Sequence, residues 1–190
     1  NLYGFDINPI AVMIASANLI IKYSEIEFTP NVFCIDYLDK DLFIDSRADI
    51  LFKFHNIYTN PPWGSDKQGL YTANYPFIKS KERASMVIAE SLKRLKKNGK
   101  LYFLLPTSLL KIKSHNDIRR YILSNTTIHQ IDIYKDRFDG VFTDYFSIKL
   151  SPQKTQKQSY VVTSHKGSSI ITLPDSDCAL GNIAIENFSM

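Results

Sequence analysis

Asn60-Pro61-Pro62-Trp63 is the segment whose residue types and order best suit chemistry. Two consecutive prolines fix the backbone and remove two amide donors, so nearby carbonyls point outward with nothing local to bond. The Asn60 side-chain oxygen adds a further acceptor. An exocyclic amine fits such a cluster: the Asn60 oxygen and the Pro61 carbonyl can take its two hydrogens and turn its lone pair toward an electrophilic methyl group. Trp63 offers a π-face on which a planar, extruded base can stack, a contact worth about 1–3 kcal/mol. The plainer alternative is a proline-rich turn around a buried tryptophan. Position favours the chemical reading, because the tetrapeptide closes a strand, and ligands of open α/β sheets gather at the carboxyl ends of strands.

The elements that must position these residues alternate between strand and helix. Residues 2–7 form a short apolar strand, and Asn8-Pro9 follows as an N-cap with proline at the first helical position. Ile10, Met13, Ile14, Ala17 and Ile21 recur at helical spacing and predict an apolar face that packs on a sheet. Strands are expected at 31–38, after the turn signal Thr29-Pro30, and at 50–59, running into Asn60. Met86, Ile88, Ala89, Leu92 and Leu95 mark a helix, with Lys96-Lys97-Asn98-Gly99 as its stop signal. The unbroken apolar run 101–105 reads as a strand covered on both faces. A helix over 107–124 turns Ile118 and Ile122 inward and leaves Lys111, Lys113, Arg119 and Arg120 to solvent. Strands follow at 128–134 and 145–150. The chain is therefore expected to be α/β, with a domain over 1–152 and a β-hairpin extension or linker over 153–190.

Composition excludes several classes. The 190 residues are 44% hydrophobic and 22% charged, as in a globular domain able to bury one core. No apolar run approaches the roughly 20 residues that cross a bilayer, so a cytoplasmic protein with no membrane partner is expected. The two cysteines, Cys34 and Cys178, lie far apart without a metal-ligand pattern, and they read as apolar filler. Neither a metal nor a covalent intermediate is called for. His55, His115, His129 and His165 read as ordinary strand or surface residues. A net charge of +4 is compatible with a polyanionic partner.

With these features in place, the sequence resembles the amino-methyltransferases whose motif is (Asn/Asp/Ser)-Pro-Pro-(Tyr/Phe/Trp), in particular the adenine-N6 DNA methyltransferases of restriction-modification systems. Gly4-Phe5-Asp6-Ile7-Asn8-Pro9, followed by Ala15, Ala17 and Asn18-Leu19, is similar to the family's second motif. The resemblance makes Asp6, with Ile7 beside it, the residue that holds the ribose hydroxyls of S-adenosylmethionine. Two vicinal hydroxyls suit the two oxygens of a carboxylate, and Asn8 already fills the helix cap. Ile35-Asp36-Tyr37 resembles the third motif, in which Asp36 accepts from the cofactor's adenine amine and Tyr37 packs on its ring. Asn60 also borders the cofactor. Leu105-Pro106-Thr107-Ser108, with Arg119 and Leu123, matches the pattern after the fifth strand. Arg137-Phe138-Asp139-Gly140-Val141 resembles the eighth motif, whose aromatic stacks on the second face of the flipped base; Phe138 is that residue, with Phe142 as its competitor.

The resemblance spans about residues 1–152. It implies a Rossmann-like S-adenosylmethionine-dependent methyltransferase fold, mostly parallel with an antiparallel last strand, plus a short C-terminal β extension. Double-stranded DNA is the implied substrate, and a specificity or restriction subunit or domain the implied partner. Methyltransferases acting on cytosine N4, ribosomal RNA guanine or release-factor glutamine remain alternatives, as does a catalytically silent nucleic-acid-binding fragment. The family's glycine-rich first motif has no counterpart, since the seven glycines are scattered with no Gly-x-Gly. The first strand is thus expected to be missing, leaving a gap between the strands ending at Asp6 and Asn60 that a recruited strand or direct pairing must close. Without that cradle, the chain alone is expected to be inactive and to bind S-adenosylmethionine no better than about millimolar, or about −4 kcal/mol.

Overall fold

The computed structural model describes residues 2–39, 53–134, 143–152, 159–164 and 167–172. These fall into two compact units, residues 1–52 and 53–190.

In the first unit, β1 (Tyr3–Asp6) leads into α1 (Pro9–Lys22) and then β2 (Asn31–Cys34), which pairs parallel with β1. The start of α1 is as expected: the Asn8 side chain accepts from the amides of Ile10 and Ala11, and Pro9 opens the helix. Its predicted apolar face is not the one turned to the strands. Ala11, Val12, Ala15, Ser16 and Leu19 are the half-buried positions, whereas Ile10, Met13, Ile14, Ala17 and Ile21 are exposed. A two-stranded sheet is too narrow to cover the wider stripe that the helical spacing marks out.

In the second unit, β3 (Phe54–Thr59), β4 (Leu95–Pro106), β5 (Thr127–Tyr134), β6 (Tyr145–Ser151), β7 (Ser159–Ser164) and β8 (Gly167–Thr172) form one sheet in the order β3-β4-β6-β5-β7-β8. β3 runs parallel to β4, and β6 lies antiparallel between β4 and β5. The C-terminal hairpin continues this sheet, with β7 parallel to β5 and β8 antiparallel to β7. Among the described residues, β1 and β3 belong to separate sheets.

Helices α2 (Arg83–Lys93) and α4 (Asn116–Asn125) supply Met86, Ile88, Ala89, Ile118 and Ile122 to the core, where Leu101, Phe103, Leu105, Phe146, Ile148 and Leu150 are also buried. Alternate residues Tyr102 and Leu104 are only half-buried, so β4 is not covered on both faces as its apolar run suggested. Tyr102 instead stacks on exposed Tyr58, ring centroids 4.4 Å apart, with the Lys149 ammonium 5.3 Å from its centroid.

Three expected boundaries differ: β2 ends at Cys34 rather than at residue 38, and two helices differ as well. Helix α2 ends at Lys93, and Lys96-Lys97-Asn98-Gly99 lies within β4, where the register with β3 slips between Phe54 and Asn56. Gly99 is needed there for close approach rather than as a helix stop. A Cβ at this position would meet Leu95 Cδ2 at 2.7 Å and the carbonyl oxygens of Lys96 and His55 at 2.9 and 3.0 Å. The helix read over 107–124 is broken into α3 (Ser108–Lys111), a 3-10 turn at Lys113–His115, and α4. Arg119, expected at the surface, is buried at 6% exposure because its guanidinium donates to the carbonyls of Leu109 and Ile112 at 2.7 and 2.9 Å. It satisfies acceptors that the break releases. His115 is likewise buried rather than superficial. Cys34 is exposed, with its thiol donating to the Ile7 carbonyl at 3.6 Å, and so is not filler.

Candidate functional site

The tetrapeptide begins where β3 ends, at the carboxyl edge of the larger sheet. Asn60 is exposed, Pro61 buried, Pro62 exposed and Trp63 half-buried. The buried proline fixes the chain against the sheet while its neighbours on both sides stay accessible. The Trp63 indole nitrogen is enclosed with no hydrogen-bond partner among the described residues, so packing and backbone, not a polar tie on the ring, hold the indole. Pro106 ends β4 at the same edge, and the Thr107 amide donates to the Asp144 carbonyl at 2.9 Å.

Beyond the tetrapeptide the chain is braced by residues that sequence reasoning missed. Gly64, at φ +105°, donates its amide to Glu82 Oε1 at 2.6 Å, and its carbonyl accepts from the Arg83 amide at 3.0 Å. The Asp66 amide donates to the Lys81 carbonyl at 2.7 Å. The buried Asp66 carboxylate accepts from the amides of Leu70, Tyr71 and Thr72 and from the Thr72 hydroxyl at 2.9–3.1 Å. Burial works to raise the Asp66 pKa, but donation from Tyr71, Thr72 and Leu70 outweighs it and holds the carboxyl below its ordinary value. The Asp66 ties reach four to six residues ahead, and an aspartate entering a polar, glycine-containing loop was a usable signal. No local pattern linked Glu82 to Gly64.

In the first unit the four residues assigned to the cofactor come together at the carboxyl ends of the paired strands. The Ile35 amide donates to the Asp6 carbonyl at 2.9 Å, which joins the two strand ends. Asp6 Oδ1 accepts from the Asn8 amide at 2.7 Å, Ile7 is exposed, and Asp36 Oδ1 accepts from the Leu38 amide at 3.0 Å. Tyr37 lies 6.1 Å from Phe5, ring to ring. Two carboxylates with an aromatic between strand ends fit a ligand that carries hydroxyls, an amine and a planar ring. Phe138 and its competitor Phe142 lie outside the described residues. Tyr134 and Tyr145 pair with each other at the same sheet edge as Pro106.

An antiparallel strand set into a parallel sheet, with ligand-suited residues at the carboxyl ends, defines the Rossmann-like methyltransferase class. Solved structures share this fold. One is the methyltransferase subunit of a type I restriction-modification system from Streptococcus thermophilus, at TM-score 0.65 and 17% identity over 84% of this chain and 36% of that one. Another is the type IIG restriction endonuclease BpuSI, at TM-score 0.67 and 11% identity over 95% of this chain and 25% of that one. Residues 1–142 match the Eco57I restriction-modification methylase family, and the chain belongs to that family. It is 30% identical over 158 residues to the type II methyltransferase M.VspI of Vibrio sp. (strain 343), which covers 80% of this chain and 36% of the relative. The chain thus spans about a third of that relative's length. No helix among the described residues is long and apolar enough to cross a membrane.

Proposed function

We propose that this chain is the catalytic segment of a cytoplasmic enzyme that transfers a methyl group from S-adenosylmethionine to the N6 amino group of adenine in double-stranded DNA, within a restriction-modification system. A specificity or restriction subunit or domain is its partner, reached through the extension over residues 153–190. One observation carries the reading: Asn60 stands exposed at the end of β3, between a strand and a buried proline that hold it in place.

In this reading Asn60 and the Pro61 carbonyl accept the two amine hydrogens and orient the nitrogen lone pair, while Pro62 keeps the backbone extended. Trp63 and Phe138 take opposite faces of the extruded adenine. Asp6 and Ile7 border the cofactor's ribose, and Asp36 and Tyr37 its adenine. S-adenosylmethionine, when bound, supplies a methyl group already activated by a sulfonium, so the protein has chiefly to position the acceptor and complement developing charge.

Nucleoside mass spectrometry tests the reading, after the protein with its glycine-rich first strand restored is incubated with DNA and labelled S-adenosylmethionine. Label in N6-methyladenine is expected; label in N4-methylcytosine alone would replace adenine with cytosine as the target.

A further inference from the structure

Glu82 occupies the N-cap position of α2 yet makes no side-chain capping bond to that helix. Its carboxylate, on a residue only 8% exposed, accepts instead from the Gly64 amide at 2.6 Å, across 18 residues of sequence. The peptide so held is the one that follows Trp63. The same short segment grips Gly64 and its neighbours twice more, through the Arg83 amide and the Lys81 carbonyl. The helix thus forgoes a side-chain cap, and the carboxylate at the cap position is committed to Gly64 instead. Because the enclosed indole nitrogen of Trp63 has no partner among the described residues, the orientation of the ring rests on packing and on this backbone brace.

We propose that Glu82 is a positioning residue for the reaction: by fixing the Trp63–Gly64 peptide it sets the plane on which the target base stacks. This rests on the proposed function, with Trp63 as a stacking platform. The role is one of reach rather than charge. Glutamine keeps an acceptor at the same distance without the charge, whereas aspartate keeps the charge but is one methylene too short.

Trp63 is the single tryptophan of the chain, so intrinsic fluorescence reports its setting directly. Glu82→Asp and Glu82→Ala are expected to shift the emission maximum and to raise acrylamide quenching about twofold, with Glu82→Gln close to the unsubstituted protein. Methyl transfer should follow the same order: a fall in kcat of about tenfold or more for aspartate and alanine, as misplacement near a reacting centre produces. KM for S-adenosylmethionine should be unchanged, with rescue to within about threefold by glutamine. Emission unaltered in both Glu82→Asp and Glu82→Ala overturns the proposal, and so does an altered emission with unaltered kcat. A glutamine variant as impaired as alanine overturns reach in favour of charge. Methyl transfer is measured in the protein with its glycine-rich first strand restored; if that protein methylates no DNA base, the proposed function fails, whereas the emission series still decides whether Glu82 positions Trp63.

Discussion

The two units follow the same strand-helix-strand grammar and bury very different amounts of apolar surface. Among the described residues of the first, Leu38 is buried and α1 has no buried position, with Ile14 56% exposed; in the second, Phe103 is 1% exposed amid a continuous core. The contrast teaches that an apolar stripe is a demand for a partner layer. The periodicity of α1 says that it can bury one face, and the sheet beside it determines how much of that face is covered. The candidate site residues divide in the same way, with the carboxylates of Asp6 and Asp36 at the strand ends of the first unit and Asn60 with the brace that follows it in the second.

The largest expected effect would break the contrast in packing. Phe103→Ala should lower stability by about 3–5 kcal/mol, from lost burial and the cavity left behind. Ile14→Ala should stay within about 0.5 kcal/mol, as at other exposed positions. Urea unfolding of both variants checks this: a comparable loss at Ile14 would mean that the exposed face of α1 is covered in solution.

Next comes the division of chemistry. With the missing first strand restored, Asn60→Ala should lower kcat for methyl transfer by at least about a hundredfold, the scale for removing one preorganised polar contact, with little change in melting temperature. Asp6→Ala should instead raise KM for S-adenosylmethionine by about tenfold, the weight of one charge-assisted hydrogen bond, and change kcat less. Steady-state kinetics of the two variants would dissolve the division if their effects on kcat and KM were alike.

The smallest effects are in pH dependence, and both groups lie in the second unit. Burial lowers the His115 pKa; the Glu82 and Asp117 charges oppose this, and Arg119 reinforces it. The unfolded chain therefore binds the proton more readily, so His115 stabilises fully above its ordinary value of about 6.5, and that contribution falls as pH drops below it. His115→Gln should flatten the stability profile just below about pH 6.5. Asp66, held below its ordinary value chiefly by donors that outweigh burial, contributes above about pH 4 and loses that contribution as pH falls further. Asp66→Asn should remove this more acidic slope in denaturant titrations at stepped pH.

Much of the site was legible because its signals are local. Asn8-Pro9 opens α1, Asn60 closes β3, and the second and third motifs of the resemblance meet at the ends of β1 and β2. What was misread was local in form but tertiary in cause. Gly99 follows three polar residues, two of them lysines, as a helix stop would, yet it serves a close approach to His55 within a sheet. Arg119 sits among basic surface residues in the sequence, yet it turns inward to carbonyls released by a break that the helical spacing conceals.

The sequence by itself determined which backbone segments are strand or helix near their caps and turns, and that the Asn60-Pro61-Pro62-Trp63 tetrapeptide follows a strand end. Those features depend on backbone torsions and on neighbours a few residues away. Tertiary structure alone decided which apolar faces are covered, the insertion of β6 between β4 and β5, and the grip of Glu82 on Gly64. The β4–β6 pairing and the Glu82–Gly64 contact join residues 18 or more apart, and a hydrogen bond over that distance has no periodicity in sequence to announce it.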